Sequence, residues 1–171
     1  MKSFGKTLLS LSAIIALLSV QGHAFQQEGV VGGNTEIAIY ASHMMPEEED
    51  QDARTTVGAT WGYFFTDNIQ AKVGFNLSDS GGEQDYSVTP GLDFYVEASP
   101  TLTPYIGGGY YYSDRSDNEG DPMTGYNAHL GINIFVNEKT AIAPEYYYVS
   151  YESGDFETTF TVIQMAIKLF F

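Results

Sequence analysis

Cysteine is absent from the 171-residue chain. Its absence excludes disulfides, thiolate metal sites, a cysteine nucleophile and a lipid-modified N-terminal cysteine. Basic residues are scarce: 7 Lys and Arg stand against 22 Asp and Glu, for a formal charge of −15. Phosphate recognition needs a basic face, so nucleic acid is excluded as a partner. Histidine is also scarce, with three in the chain. Beyond the N-terminus no segment has the roughly 20 apolar residues of a transmembrane helix. What the chain has in quantity is 13 Tyr, 11 Phe and 18 Gly. Tyrosine and glycine together suit strands that cross a membrane interface and bend around a small barrel.

The N-terminus carries an address. Lys2 and Lys6 form a positive region, residues 8–20 are apolar apart from serines, and Gly22-His23-Ala24 closes with small residues where signal peptidase reads. The run falls short of a membrane-spanning helix, so residues 1–24 are expected to be a signal peptide and 25–171 the mature domain. Cleavage removes two lysines and no acid, taking the charge from −15 to −17. An exported chain without a transmembrane helix is periplasmic, extracellular or a β-barrel, and the strand pattern decides.

The clearest strand is 158–171. Ile163, Met165, Ile167, Leu169 and Phe171 alternate with Val162, Gln164, Ala166, Lys168 and Phe170. Period two makes this a strand with one apolar face and one mixed face, and the lysine argues against a dry protein core on the mixed side. Seven more strands are expected at 34–42, 54–65, 69–78, 86–98, 104–113, 123–136 and 140–151, after a flexible lead-in over 26–33. The fifth, with its Y-I-G-G-G-Y-Y-Y run, has faces that the pattern leaves unassigned. Pro90 in the fourth removes a ladder donor and implies a bulge or weak pairing.

Two regularities follow. Connections after the second, fourth and sixth strands are short. Those after the first, third, fifth and seventh are longer or more polar, as in outer-membrane barrels with short periplasmic turns and long external loops. Charges within the strands (Glu36, Lys72, Asp93, Glu97, Glu145 and Lys168) all sit on the less apolar face. Counted from the short turns, Lys72, Asp93, Glu145 and Lys168 fall at similar depth. Eight strands enclose a space just wide enough for side chains to fill, so these four are expected to form a buried ionic cluster, with Asp93 and Glu145 as partners for Lys168. The alternative is a strained, partly hydrated lumen with some carboxylates protonated. The fold expected is all-β, an eight-stranded antiparallel up-and-down transmembrane β-barrel in the bacterial outer membrane.

The stretches FFTDNIQAKVGF, TPYIGGGY, AIAPEYYY and IKLFF resemble the small eight-stranded outer-membrane barrels of the OmpA-like superfamily, over about residues 28–171. The resemblance implies that Phe171, with Leu169, Ile167 and Met165 behind it, is the signal read by the barrel-assembly machinery. It also implies a setting of outer-membrane lipid and lipopolysaccharide. Relatives with a peptidoglycan-binding domain carry it after the barrel; this chain ends at the barrel, so that anchoring role is not expected.

Catalysis would need a nucleophile and a base. After cleavage only His43, in the first loop, and His129, facing the lumen with Asn127 and Asn133, remain, and no Ser–His spacing stands out. No enzyme activity and no cofactor are expected. Acidic residues cluster at Glu47, Glu48, Glu49, Asp50 and Asp52, and at Asp114, Asp117, Glu119 and Asp121. A solvated rim is the first reading of such runs; divalent cations bridging the rim to lipid phosphates is the sharper one. Tyr110, Tyr111, Tyr112, Tyr146, Tyr147, Tyr148 and Tyr151 lie near the outer strand ends, the lipid-facing ones as an interface girdle and the inward ones as packing. The function expected is a monomeric, non-enzymatic structural or surface-interaction barrel acting through acidic loops. The alternatives are a narrow pore for small solutes, a lipid-modifying enzyme and a soluble ligand-binding barrel.

Overall fold

The computed structural model describes residues 30–44, 54–80, 83–96, 98–115, 122–153 and 156–171. The expected signal peptide, the acidic stretch 47–52, Glu97, Asp117, Glu119 and Asp121 lie outside them. Eight strands follow one another: β1 (Thr35–Met44), β2 (Arg54–Thr66), β3 (Ile69–Ser80), β4 (Glu83–Tyr95), β5 (Leu102–Arg115), β6 (Met123–Asn137), β7 (Thr140–Ser153) and β8 (Phe156–Phe170). Each pairs antiparallel with its sequence neighbours, and β8 pairs with β1, closing the barrel. Closure gives every strand two neighbours, which an open sheet in lipid cannot do.

Side chains divide by period two. The outward set is apolar: Ile39, Trp61, Phe75, Leu92, Ile106, Leu130 and Ile167 are all exposed, Trp61 by 50%. The inward set holds the buried charges Glu36, Asp93, Glu145 and Lys168. A water-soluble barrel would put these the other way round. Lipid is the solvent that this pattern fits.

One end gathers the start of β1, the end of β8 and the tight connections at 67–68 and 138–139; we call it the turn end. The opposite, loop end joins β1 to β2 and β5 to β6 through the longer segments. The other two connections at the loop end depart from expectation. The β3–β4 ladder runs out to Ser80↔Glu83 and the β7–β8 ladder to Ser153↔Phe156. What composition suggested as polar loops over 79–85 and 152–157 is mostly paired strand. Ladder bonds are made by backbone, so polar residues continue a strand past the lipid edge into water.

Pro90 pairs with Val73 on β3. On the β5 side the ladder lapses between Val88↔Tyr112 and Gly91↔Gly109 without a change of register. Pro90 thus weakens pairing and makes no bulge. In β5 the faces are now assigned: Thr103, Tyr105, Gly107, Tyr111 and Ser113 point inward, while Ile106, Tyr110 and Tyr112 point to lipid.

The lead-in, expected to be flexible, is anchored over its described part. Gly33 N–H donates to Phe64 O at 2.8 Å, Gly32 N–H to Asp67 Oδ1 at 2.8 Å, and Phe64 N–H to Asn34 O at 3.0 Å. Gly33 takes a φ of 94°, a left-handed conformation that glycine reaches without strain. The bend it makes turns Val30 in under the barrel, where it joins the buried cluster of Phe64, Tyr95, Tyr105, Phe135, Ala141 and Phe170.

Candidate functional site

The turn-end half of the lumen is filled. Its lowest layer is aromatic: Phe64 and Tyr95 approach at 5.1 Å, Tyr95 stacks on Tyr105 at 5.0 Å, and Phe135 meets Phe170 at 5.2 Å. Above that layer lie the ions. Lys72 Nζ is 2.7 Å from Asp93 Oδ2, and Lys168 Nζ is 3.3 Å from Glu145 Oε1. Lys168 does not take Asp93 as its second partner, as residue counting had suggested. It takes Glu36, at 3.5 Å, and lies 4.1 Å over the Tyr105 ring. Asp93 turns its other oxygen to His129, Oδ1 to Nε2, at 2.9 Å.

Each charged group has further partners. Tyr105 Oη donates to Glu145 Oε1, and Gln164 Nε2 donates to Glu145 Oε2 at 2.7 Å. Tyr95 Oη lies 3.2 Å from Glu36 Oε2 and 3.0 Å from Gln70 Oε1. His129 Nε2 is also 2.8 Å from Lys72 Nζ, so it either donates to Asp93 or accepts from Lys72, never both at once. Such saturation is what a buried charge requires, since an unpaired one costs several kcal/mol. Three carboxylates face two ammonium groups here, and the excess negative charge is met by hydrogen bonds from Tyr95, Tyr105 and Gln164.

Glycine makes room for this cluster. A Cβ on Gly107 would collide with Asp93 Oδ1 and His129 Nε2, and one on Gly131 would collide with the Tyr105 ring. Both glycines sit on inward positions of β5 and β6, opposite the large polar side chains.

The loop-end half is different. It holds a cavity of about 110 Å³, room for several waters. Small hydroxyls and amides line one side and aromatic or branched side chains the other. Tyr40 Oη donates to Asn76 Oδ1, Asn76 Nδ2 donates to Ser87 Oγ at 2.9 Å, and Thr56 and Ser78 share a hydrogen bond at 2.8 Å. Across the lumen, Tyr111 stacks on Tyr151 at 6.1 Å and Tyr147 stacks on His129 at 4.6 Å. Lys72 and Gln164 form part of the cavity floor.

Strand counting pointed to four of the cluster residues and missed Glu36, Tyr95, Tyr105, Gln70 and Gln164. Glu36 carried the right signal, being charged and on the inward face, but lies two residues nearer the turn end than Lys168's cross-strand neighbour Ala38. His129 shares its hydrogen bonds with Lys72, Asp93 and Asn127, and none of these is a hydroxyl nucleophile. Among the described residues no group of three His, Cys, Asp or Glu is placed to hold a metal. Of the residues expected to signal assembly, Ile167, Leu169 and Phe171 project outward from β8 and Met165 is half-buried.

Comparison with known proteins places this geometry. The family model for the outer membrane protein β-barrel domain matches residues 10–168. The chain is 27% identical over 133 residues to Outer membrane protein W of Vibrio cholerae, covering 60% of this chain and 61% of the relative. It thus spans about three-fifths of that relative's length. Among solved structures it resembles the N-terminal β-barrel domain of Pseudomonas aeruginosa OprF, with a TM-score of 0.64 at 16% identity over 82% of this chain and 98% of that one. It also resembles the outer membrane protein OprG of the same organism, with a TM-score of 0.57 at 16% identity over 85% and 99%. These two likenesses bear on the fold alone.

Proposed function

The chain belongs to the outer membrane protein β-barrel family of the bacterial outer membrane, and from that premise we propose that it is a non-enzymatic, non-conducting barrel acting at the cell surface through its loop end. The turn end is read as periplasmic, because outer-membrane barrels keep their short turns there. One observation carries the proposal. The periplasmic half of the lumen is blocked twice over, by the aromatic layer with Val30 and by the ion cluster above it. The outer half is a well with a floor. A single histidine held between Asp93 and Lys72 is occupied as a structural group, which supports the non-enzymatic reading.

Single-channel recording in planar bilayers tests the proposal. Purified protein should insert without stable conductance steps; reproducible large steps would favour a pore for small solutes. The outward apolar belt meets lipid and lipopolysaccharide. Acidic residues at the loop end would reach the lipid phosphates through divalent cations, and a saturable calcium response of the refolded protein checks that contact.

Export and assembly complete the reading. Residues 1–24 act as a signal peptide, and Met165, Ile167, Leu169 and Phe171 act as the segment recognised by the barrel-assembly machinery. Deleting Phe171 should lower the amount of heat-modifiable barrel in outer-membrane fractions while leaving the exported precursor pool intact. An unchanged amount would remove that assignment.

A further inference from the structure

The well at the loop end has two unlike walls, and the division follows the chain. Strands β1 to β4 contribute Ser42, Thr56, Thr60, Asn76, Ser87 and Thr89, with the Tyr40 hydroxyl bonded to Asn76 among them. Every one of these groups both donates and accepts hydrogen bonds. Strands β5 to β8 contribute Tyr111, Tyr147, Val149, Phe160 and Val162, which offer ring faces and methyl groups, with the amides of Asn127 and Gln164 among them. Two of the rings are held in place from behind, Tyr147 by His129 at 4.6 Å with planes 16° apart, and Tyr111 by Tyr151.

Among the described residues, charge is nearly absent from this lining. Asp93 and Glu145 lie below it and do not line the cavity, so a cation finds no carboxylate there. Among the described residues Lys72 is the one charged side chain on the lining, and its ammonium is engaged by Asp93 at 2.7 Å and His129 at 2.8 Å. A strong anion therefore finds no free counter-charge. An acyl chain would leave the hydroxyl wall facing hydrocarbon, at the cost of unsatisfied polar groups.

What matches is a neutral ring with one C–H face and a rim of hydroxyls. We propose that the well binds a small polyhydroxylated ring, a single sugar unit or cyclic polyol. Its C–H face rests on Tyr111, Tyr147 and Phe160, and its hydroxyls meet the β1–β4 wall. The cavity volume of about 110 Å³ suits one such ring, and preformed walls lower the ordering cost of binding. The ring can arrive as a free sugar or as the terminal residue of a surface glycan. This deepens the surface-interaction reading and names the chemistry it recognises. Conductance tests that reading and sugar binding tests this one, so the two fail separately.

The experiment is saturation-transfer NMR on the full barrel refolded in a zwitterionic detergent, because sugar-headed detergents carry the ligand's own chemistry. The probes are methyl hexosides, inositol, a trisaccharide ending in the same hexose, and cyclohexanol as an apolar ring of equal size. The expected result is saturable transfer to hydroxylated rings in the millimolar range or tighter, strongest at the C–H protons of one ring face, and at least about tenfold weaker in Thr89→Phe, whose ring fills the well. Heat-modifiable migration shows that the variant is folded; Ser87→Leu replaces it if it is not. Binding of the methyl hexoside alone identifies a free solute as the source, and binding of the trisaccharide end identifies a glycan. No saturable transfer, unchanged affinity in a folded filled variant, or cyclohexanol bound as tightly as the hexoses would each overturn the proposal.

Discussion

The two halves of the lumen are built on the same alternating strands and reach opposite solutions. Toward the turn end the inward positions carry Glu36, Lys72, Asp93, Tyr95, Tyr105, Glu145 and Lys168, and the space is filled. Toward the loop end they carry serine, threonine, glycine and asparagine against a few aromatics, and a cavity is left. The difference teaches that period two sets which way a side chain points, while side-chain size and charge set whether the lumen is a plug or a well. A plug made of ions needs every member, because each charge is held by another. A well made of hydroxyls can lose one without exposing a charge.

That asymmetry is open to attack from either side. The largest effect is expected from Lys168→Met, which leaves Glu36 and Glu145 facing each other without a cation. It should cost about 3–5 kcal/mol in urea unfolding from lipid vesicles. A loss below about 1 kcal/mol would mean that the cluster is wet and its charges separately solvated. Gly107→Ala comes next. Its new Cβ meets Asp93 and His129, and the overpacking should cost about 1–3 kcal/mol by the same measurement. A double-mutant cycle on Lys72→Met and Asp93→Asn should give a coupling of about 0.5–3 kcal/mol; additive effects would separate the pair. The smallest effect is expected in the well. Ser87→Ala removes one acceptor from Asn76, in a cavity where water can replace it, and should shift stability by about 0.5 kcal/mol or less. A larger loss there would erase the contrast between the halves.

How much of this was legible in the sequence depends on what each strand exposes. β6 could be read directly, because Tyr126, Ala128, Leu130, Ile132 and Ile134 alternate with Asn127, His129, Gly131 and Asn133. β5 could not, because three successive glycines have no hydropathy. Gly107 is oriented by the side chains it must avoid, Asp93 and His129 on neighbouring strands, and those contacts are invisible in one dimension. Strand ends were misplaced for a related reason. Ser80, Glu83 and Ser153 lie in ladders beyond the apolar band, where pairing continues and the hydropathy signal stops.

The ion cluster was read in part. Lys72, Asp93, Glu145 and Lys168 could be found by counting from the turns, but counting treats strands as upright. The stagger between strands and the length of the lysine stem bring Lys168 to Glu36 rather than to Asp93. Val30 gave no signal at all. A lone valine in a glycine-rich lead-in becomes part of the core only because Gly33 turns the chain under the barrel.

The chain's lack of cysteine offers the most direct test of the central claim, that the lumen is a well with a sealed floor. Single cysteines can be introduced at Thr89 on the wall of the well and at Ala143 within the plug, which is fully buried. Intact cells would then be treated with a small, membrane-impermeant thiol reagent. The account predicts rapid labelling of Thr89→Cys and none of Ala143→Cys until the barrel is unfolded. Equal labelling at both positions in folded protein would contradict it.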